Sequence, residues 1–446
     1  MAHFVPHTDA EIESMLASLG LASLDELYAA VPAALRLAGG LDLPPGRSEA
    51  EVLDEMGRLA GRNRTGRELV CFAGGGAYDH DVPAVVRHLA LRSEFVTSYT
   101  PYQPEVAQGV LQALFEYQTL VCRLTGMDVA NASLYDGASA CVEAANLGVA
   151  ATGRETVWVS RGVNPRWRSV LRTFAAGSGH HIVEAGLADG VTRWPQGHEG
   201  GDSGPEPPGV VLVQHPNYLG CLDDVAAAAD VASESGAVLV VAFDPVAAGL
   251  LRAPDQADVV VGEGQPFGTP LSFGGPYLGL FACRREHVRR LPGRLVGETV
   301  DAAGRRAYVT TLRAREQDIR REKASSNVCT NETLVAIAGA VQLCWLGSSG
   351  LRQLALRCAR GTRYAREALL SIEGVEPLAG APVLREFAVR LPVAPLGVVE
   401  RMAEEGFLAG IPLDEEYGPA LLVAVTEKRT RDEIDAFAAA LEKVIR

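Results

Sequence analysis

Three short stretches carry residues whose types and spacing could do chemistry. The first is NASLYDGASACVEAANLG, residues 131–148, where Gly137, Ala138 and Ser139 open a helical pattern. Free backbone N–H groups and the positive end of a helix suit a phosphate there, although a plain loop-to-helix cap uses the same residues. The second is FDPVAAG, 243–249, in which Asp244 ends the apolar run AVLVVAF. A carboxylate at the carboxyl edge of a strand lies where open α/β sheets bind ligands, and an Asp-Pro turn is the plainer alternative. The third is ADVVVGEGQPFGTPLSFGGP, 257–276, a strand that runs through Gln265 into a glycine-rich loop.

A phosphate cup, a strand-end aspartate able to pair with a pyridine nitrogen, and a turn after the next strand outline a pyridoxal phosphate site. Such a site needs a lysine for its imine, and position 265 is glutamine. Only three lysines stand among the 41 basic residues: Lys323, Lys428 and Lys443. Lys428 and Lys443 lie near the C-terminus and Lys323 lies well past the loop, so none is placed to substitute. Arginine stays protonated and forms no Schiff base.

Two further segments are polar and poorly suited to helix interiors. SEFVTSYTPYQPEVAQG, 93–109, sets Tyr99, Thr100, Tyr102 and Gln103 between prolines, which fits a pocket wall or an interface as well as a packed turn. TLRAREQDIRREKASSNVCTNETL, 311–334, clusters Arg313, Arg315, Arg320 and Arg321 ahead of the small donors Ser325, Ser326 and Asn327. Arginine forks fit carboxylates and phosphates, and a solvated face is the dull reading. The glycine-rich FAGGGAYDHDVP, 72–83, lacks the helix and acidic residue of a dinucleotide fingerprint.

The elements that must position these residues alternate in kind. TDAEIESMLASLG, SLDELYAAVPAALRL and SEAEVLDEMGRLAGRN predict a helical N-terminal segment over 1–85. From 86 to 348, amphipathic helices alternate with the apolar runs TVWVS, GVVLV, AVLVVAFD, ADVVVG and YLGLFAC, which predicts a large α/β domain with a mostly parallel sheet. REFAVRLP, APLGVVERMAEEG, ALLVAVTE and TRDEIDAFAAALEKV then predict a smaller α+β domain over 349–446.

The bulk properties exclude several classes. A net charge of −14 argues against nucleic acid or an anionic membrane as the main partner. The eight cysteines form no CxxC or Cys/His cluster, so no metal site is expected. No basic leader precedes an apolar core and no unbroken apolar run approaches membrane length, so a cytoplasmic location is expected.

The blocks SLDELYAAVP, AYDHDVPAVVRHL, SYTPYQPEVAQGVLQALFEYQTLVCRLTGMDVANASLYDGASA, GEGQPFGTPLSFGGPYLG, LPGRLVGET and AREQDIRREKASSNVCT together resemble the glycine cleavage system P-protein. The resemblance is closest to its N-terminal half, which in many prokaryotes is a separate chain, the alpha subunit of glycine dehydrogenase (decarboxylating). It implies a pyridoxal phosphate-dependent transferase of aminotransferase-like fold, fold type I. It also implies an oxidoreductase system that decarboxylates glycine and passes the aminomethyl group to the lipoyl arm of H-protein. On this resemblance the lysine and the covalently bound pyridoxal phosphate belong to a partner beta subunit, in a heterodimer or an α2β2 heterotetramer, and this chain is inactive alone.

Carried over, Gln265 stands at the Schiff-base position, with Gly137, Ala138, Ser139 and Asp244 as a relic cofactor site. Tyr99, Thr100, Tyr102 and Gln103 would line the partner's glycine site, and Ser325, Ser326 and Asn327 would reach its phosphate. Ser325 stands where the family pattern has threonine, which keeps the hydroxyl. The rival expectations are a self-sufficient pyridoxal phosphate enzyme with an unusual lysine and a scaffold subunit that leaves its partner's site untouched.

Overall fold

The computed structural model describes residues 6–37, 41–66, 68–96, 99–195, 206–413 and 416–446. The chain divides into two compact units, 1–64 and 65–446. In the first, helices α1 (Asp9–Leu19) and α2 (Glu49–Ala60) each begin on a capping box, Thr8 with Glu11 and Ser48 with Glu51. The helix predicted for SLDELYAAVPAALRL does not form; only short 3-10 turns appear at Leu24–Tyr28 and Ala33–Leu35. Pro32 has no N–H to continue the helix, and the Ser23 side chain makes no cap. None of the described residues of this unit is buried.

The second unit is built on a seven-stranded sheet. Its strands are β1 (Val129–Ala130), β2 (Thr156–Ser160), β3 (His181–Ala185), β4 (Val210–His215), β5 (Val238–Phe243), β6 (Val259–Glu263) and β7 (Gly279–Cys283). Their spatial order is β1-β7-β6-β5-β4-β2-β3. Strands β3, β2, β4, β5 and β6 run parallel, and β7 is antiparallel to both of its neighbours. The near-continuous valine runs follow from burial on both faces. Val211 and Val213 face a core with helix α3 (Gln108–Thr125), whereas Val210 and Leu212 face helix α4 (Gly137–Thr152). Helix α4 is rich in Gly, Ala and Ser because it lies close on the sheet: a Cβ at Gly148 would overlap Val210.

Helices α5 (Pro165–Ser178) and α6 (Val225–Ser235) complete the crossovers, and the hairpin β8 (Leu295–Val300) and β9 (Arg306–Thr311) leaves the sheet toward the 313–331 loop. Helix α7 (Thr333–Leu370) kinks at Gly347, so the 348/349 boundary falls inside one long element. It packs Ala336, Ile337 and Ala340 into the sheet core and Ala365 and Leu369 into the C-terminal core. Among the described residues it is the one helix long and apolar enough to cross a membrane by length and composition. The sequence reading missed this because interspersed Gly, Ser and Gln keep the apolar stretches short.

The C-terminal portion is an antiparallel four-stranded sheet, β10 (Glu376–Pro377), β11 (Glu386–Arg390), β12 (Ile411–Pro412) and β13 (Ala420–Ala424), in the order β10-β11-β13-β12. Helices α8 (Pro395–Glu404) and α9 (Arg431–Ile445) cover it, α9 starting on a capping box of Thr430 and Glu433.

Candidate active site

The carboxyl ends of β5 and β6 and the first turn of α4 converge on one point, because parallel strands all deliver their ends to the same sheet edge. Asp244 follows β5, Gln265 follows β6, and Gly137 begins α4. The structure therefore brings the three sequence-derived candidates together. What it also brings there was not foreseen.

Gln265, 1% exposed, is held on all sides. Its Oε1 accepts from the Tyr78 N–H at 2.9 Å, and its Nε2 donates to the carbonyls of Tyr78 at 3.1 Å and Thr269 at 2.8 Å. A primary amide matches a backbone edge with both a donor and an acceptor, which an ammonium does not. Asp244 is closed off by Arg385, whose Nη2 lies 2.7 Å from its Oδ2. The Arg385 guanidinium stacks 3.5 Å over the Tyr78 ring, and its Nη1 meets His80 Nε2 at 2.8 Å. Guanidinium only donates, so His80 accepts at Nε2 and its Nδ1 proton faces Glu427 Oε2, 2.6 Å away. A buried line of hydrogen-bonded groups thus runs from Asp244 through Arg385 and His80 to Glu427.

The phosphate cup is filled as well. Glu263 Oε2 accepts from the Gly137 N–H, and its Oε1 accepts from the N–H groups of Gln265 and Leu278, each bond 2.9 Å. Asp136 Oδ1 accepts from the Ser139 N–H at 2.7 Å. The donors of the helix end therefore face two acidic side chains, Glu263 and Asp136. Burial pushes the Glu263 carboxyl up to about 8, against the three N–H groups that favour its charge. The Trp167 indole lies where any side chain at 137 would stand, so this position must be glycine. Opposite, Glu386 accepts from the Tyr78 hydroxyl at 2.8 Å and the Gly75 N–H at 2.6 Å, and burial raises it to about 7.

The cavity between Asp244, Arg385, Glu263 and Trp167 is about 40 Å³, room for water, and a larger one of about 310 Å³ opens beside it against Ala138, Asn164, Trp167 and Tyr277. Pyridoxal phosphate does not fit this position: the pyridine partner, the imine position and the phosphate donors are each taken by the chain's own groups. Nor do His80, Cys358 and Glu427, which converge at metal-binding distances, form a ready metal site, because both His80 nitrogens are committed.

The second set of candidates lies on the 93–109 and 311–334 segments, and residues 329–332 hydrogen-bond to residues 132–135 just ahead of α4. Tyr99 is 77% exposed and Tyr102 54%; Gln103 is exposed, and Thr100 is half-buried with no hydrogen-bond partner at its hydroxyl. Thr97 and Ser98 lie outside the described residues. Ser325 and Asn327 are exposed, while Ser326 turns inward to the buried Glu143. Arg294, 5% exposed and not singled out from sequence, ties the two loops together. Its Nη2 reaches the Tyr102 hydroxyl at 3.3 Å and the Cys329 carbonyl at 2.9 Å, and its Nη1 reaches Thr330 and Asn331 at 3.2 and 3.3 Å. The Tyr102 ring faces Arg294 at 5.4 Å and Arg313 at 5.8 Å. Arg294 was present in the LPGRLVGET block, and Tyr78 and His80 in AYDHDVP, but neither block shows what its side chains touch.

The family model for the glycine cleavage system P-protein matches residues 2–441. The chain belongs to this family. It is 48% identical over 447 residues to the probable glycine dehydrogenase (decarboxylating) subunit 1 of Moorella thermoacetica, covering 99% of both chains. A protein of the same description from Desulforamulus reducens is 46% identical, covering 98% of this chain and 99% of that one. The crystal structure of an inhibitor-bound glycine decarboxylase (P-protein) matches with a TM-score of 0.92 and 44% identity, covering 99% of this chain and 100% of that one. Lactobacillus brevis glutamate decarboxylase shares the fold alone, with a TM-score of 0.65 at 13% identity over 93% of this chain and 96% of that one. The fold is that of the pyridoxal phosphate-dependent fold type I enzymes, and pyridoxal phosphate is the cofactor of the P-protein family.

Proposed function

We propose that this P-protein chain is the lysine-free subunit of glycine dehydrogenase (decarboxylating) and works only beside a lysine-bearing beta subunit. One observation carries the reading: the chain's own cofactor position is filled by Gln265, the Arg385–Asp244 pair and Glu263. An enzyme subunit with a filled site must act on a site elsewhere.

Pyridoxal phosphate, held covalently by the partner, supplies the electron sink for loss of CO2 from glycine. This chain's part is to bind, orient and exclude water. The loop with Tyr99, Thr100, Tyr102 and Gln103 walls the glycine site, and Arg294 holds Tyr102 in place beneath it. Ser325 and Asn327 face the cofactor phosphate with small donors, and Ser326 anchors their loop to Glu143. The aminomethyl group passes to the lipoyl arm of H-protein in a heterodimer or α2β2 heterotetramer, in the cytoplasm. The exposed hydroxyls of these loops favour a contribution to the site over a scaffold role, which needs no such groups.

The test is to express the chain alone and with a lysine-bearing partner, then follow glycine–bicarbonate exchange with and without lipoylated H-protein. Exchange arises only from the pair. Activity from the lone chain overturns the reading, and unchanged turnover after Tyr99→Phe and Ser325→Ala overturns the loop assignments.

A further inference from the structure

The last part of α7 and the turn leading into α9 border an open, solvent-facing pocket of about 440 Å³. It is lined by Arg357, Arg360, Tyr364, Arg429 and Arg431, with Gly361 and Ile434 as its apolar floor and Glu427 at its edge. Four guanidinium groups around one cavity stand out in a chain of net charge −14. Arg357 and Arg360 are one helical turn apart on α7, both exposed, and neither has an ion-pair partner among the described residues.

Arg429 is the second observation. Its side chain is 6% exposed, yet its nearest carboxylates are Asp79 at 3.4 Å and Glu433 at 3.9 Å, and its Nε has no partner. Asp79 is already held by Lys428 at 2.7 Å. A buried guanidinium normally collects short, charge-assisted bonds, so this one is short of acceptors. The nearest acid on the lining does not supply them. Both Glu427 oxygens turn to other donors, one to His80 Nδ1 at 2.6 Å and one to the Asp81 N–H at 2.7 Å. Arg431 keeps Tyr364 in the wall, donating from Nε to its hydroxyl at 3.0 Å and lying 4.9 Å over its ring.

From this geometry we infer that the cavity is a binding site for a small, multiply charged phosphate-bearing anion, distinct from the glycine chemistry. Arg357 and Arg360 supply forks from one wall and Arg429 from the other, a convergence that suits a diphosphate group better than one carboxylate. The volume falls in the range of small-ligand sites. The adjoining hollow, which shares Arg357 and Glu427 and reaches the exposed Trp345, can take an organic body attached to the anion.

The test uses the full chain at low salt, with calorimetry and thermal unfolding in inorganic diphosphate, citrate or poly-glutamate. Diphosphate binds and raises Tm, and the double variant Arg357→Ala/Arg360→Ala weakens it by about a hundredfold, since each of the two lost charged bonds counts for about tenfold. Both replaced side chains are exposed and unpaired, so the variant folds. Arg289→Ala/Arg290→Ala, an exposed basic pair elsewhere, leaves binding unchanged. No diphosphate effect on the parent chain, or equal loss in both variants, overturns the site. Citrate binding as tightly as diphosphate overturns the phosphate assignment, and poly-glutamate binding without diphosphate binding makes this a docking face for an acidic protein instead.

Discussion

Replacing Gln265 with leucine tests whether this glutamine is now a structural clasp. Leucine is close in volume, so the loss is confined to hydrogen bonds. The substitution strips a partner from the Tyr78 N–H and from the Tyr78 and Thr269 carbonyls. The Tyr78 carbonyl keeps the His80 N–H at 2.9 Å, so two buried backbone groups are left orphaned. At about 1–3 kcal/mol for each, Gln265→Leu destabilises the chain by roughly 2–6 kcal/mol, a large share of the total stability of a typical domain. Urea unfolding of the isolated chain by circular dichroism reads this as a lower midpoint at unchanged slope. A loss under about 1 kcal/mol would mean that water or a shifted backbone satisfies these groups, and would refute the clasp.

Other predictions follow from the same site and its neighbours. Gln265→Lys does not restore a cofactor site, because Arg385 and Glu263 still fill it; borohydride treatment with pyridoxal phosphate leaves position 265 unlabelled, and labelling there would contradict the filled-site reading. Arg294→Ala lowers kcat/KM of the reconstituted complex by about tenfold or more, as the Tyr102 and Cys329 segments lose their common anchor, while Arg294→Lys recovers part of it. Unchanged kinetics would detach these loops from catalysis. Glu263 and Glu386 keep their protons up to about 8 and about 7, whereas an unfolded glutamate releases its proton near about 4.3. Between those limits the folded chain binds more protons than the unfolded one, so their contribution to stability falls as pH rises. Glu263→Gln therefore flattens the decline in stability between about pH 5 and 8, and an identical slope rules out a retained proton there.

The N-terminal segment shows where local signals succeed and fail. Thr8, Ser48 and Thr430 each meet a glutamate three residues on, and each starts a helix with both capping bonds formed. Ser23 with Glu26 offers the same spacing, yet only a 3-10 turn forms, since Pro32 denies the helix the length its cap needs. The five long strands were legible because burial on both faces demands unbroken apolar runs. The placement of Asp244, Gln265 and Gly137 at one sheet edge was legible for the same reason, as parallel connectivity fixes which ends meet.

The sequence by itself determined that this chain carries no imine-forming lysine at 265 and that its fold is an open α/β sheet with a smaller α+β portion. Those properties rest on residue identity and short-range periodicity. Only the tertiary structure decided what became of the vacated site. Arg385 and Asp244 are far apart in the chain, as are Tyr78 and Gln265, yet each pair is in direct contact. Which buried charge meets which is settled by the packing of whole elements, because an unpaired charge or amide in the interior costs more than local preference can offset. The same holds for Arg294, an ordinary basic residue in the sequence that becomes the tie between two exposed loops once the fold closes around it.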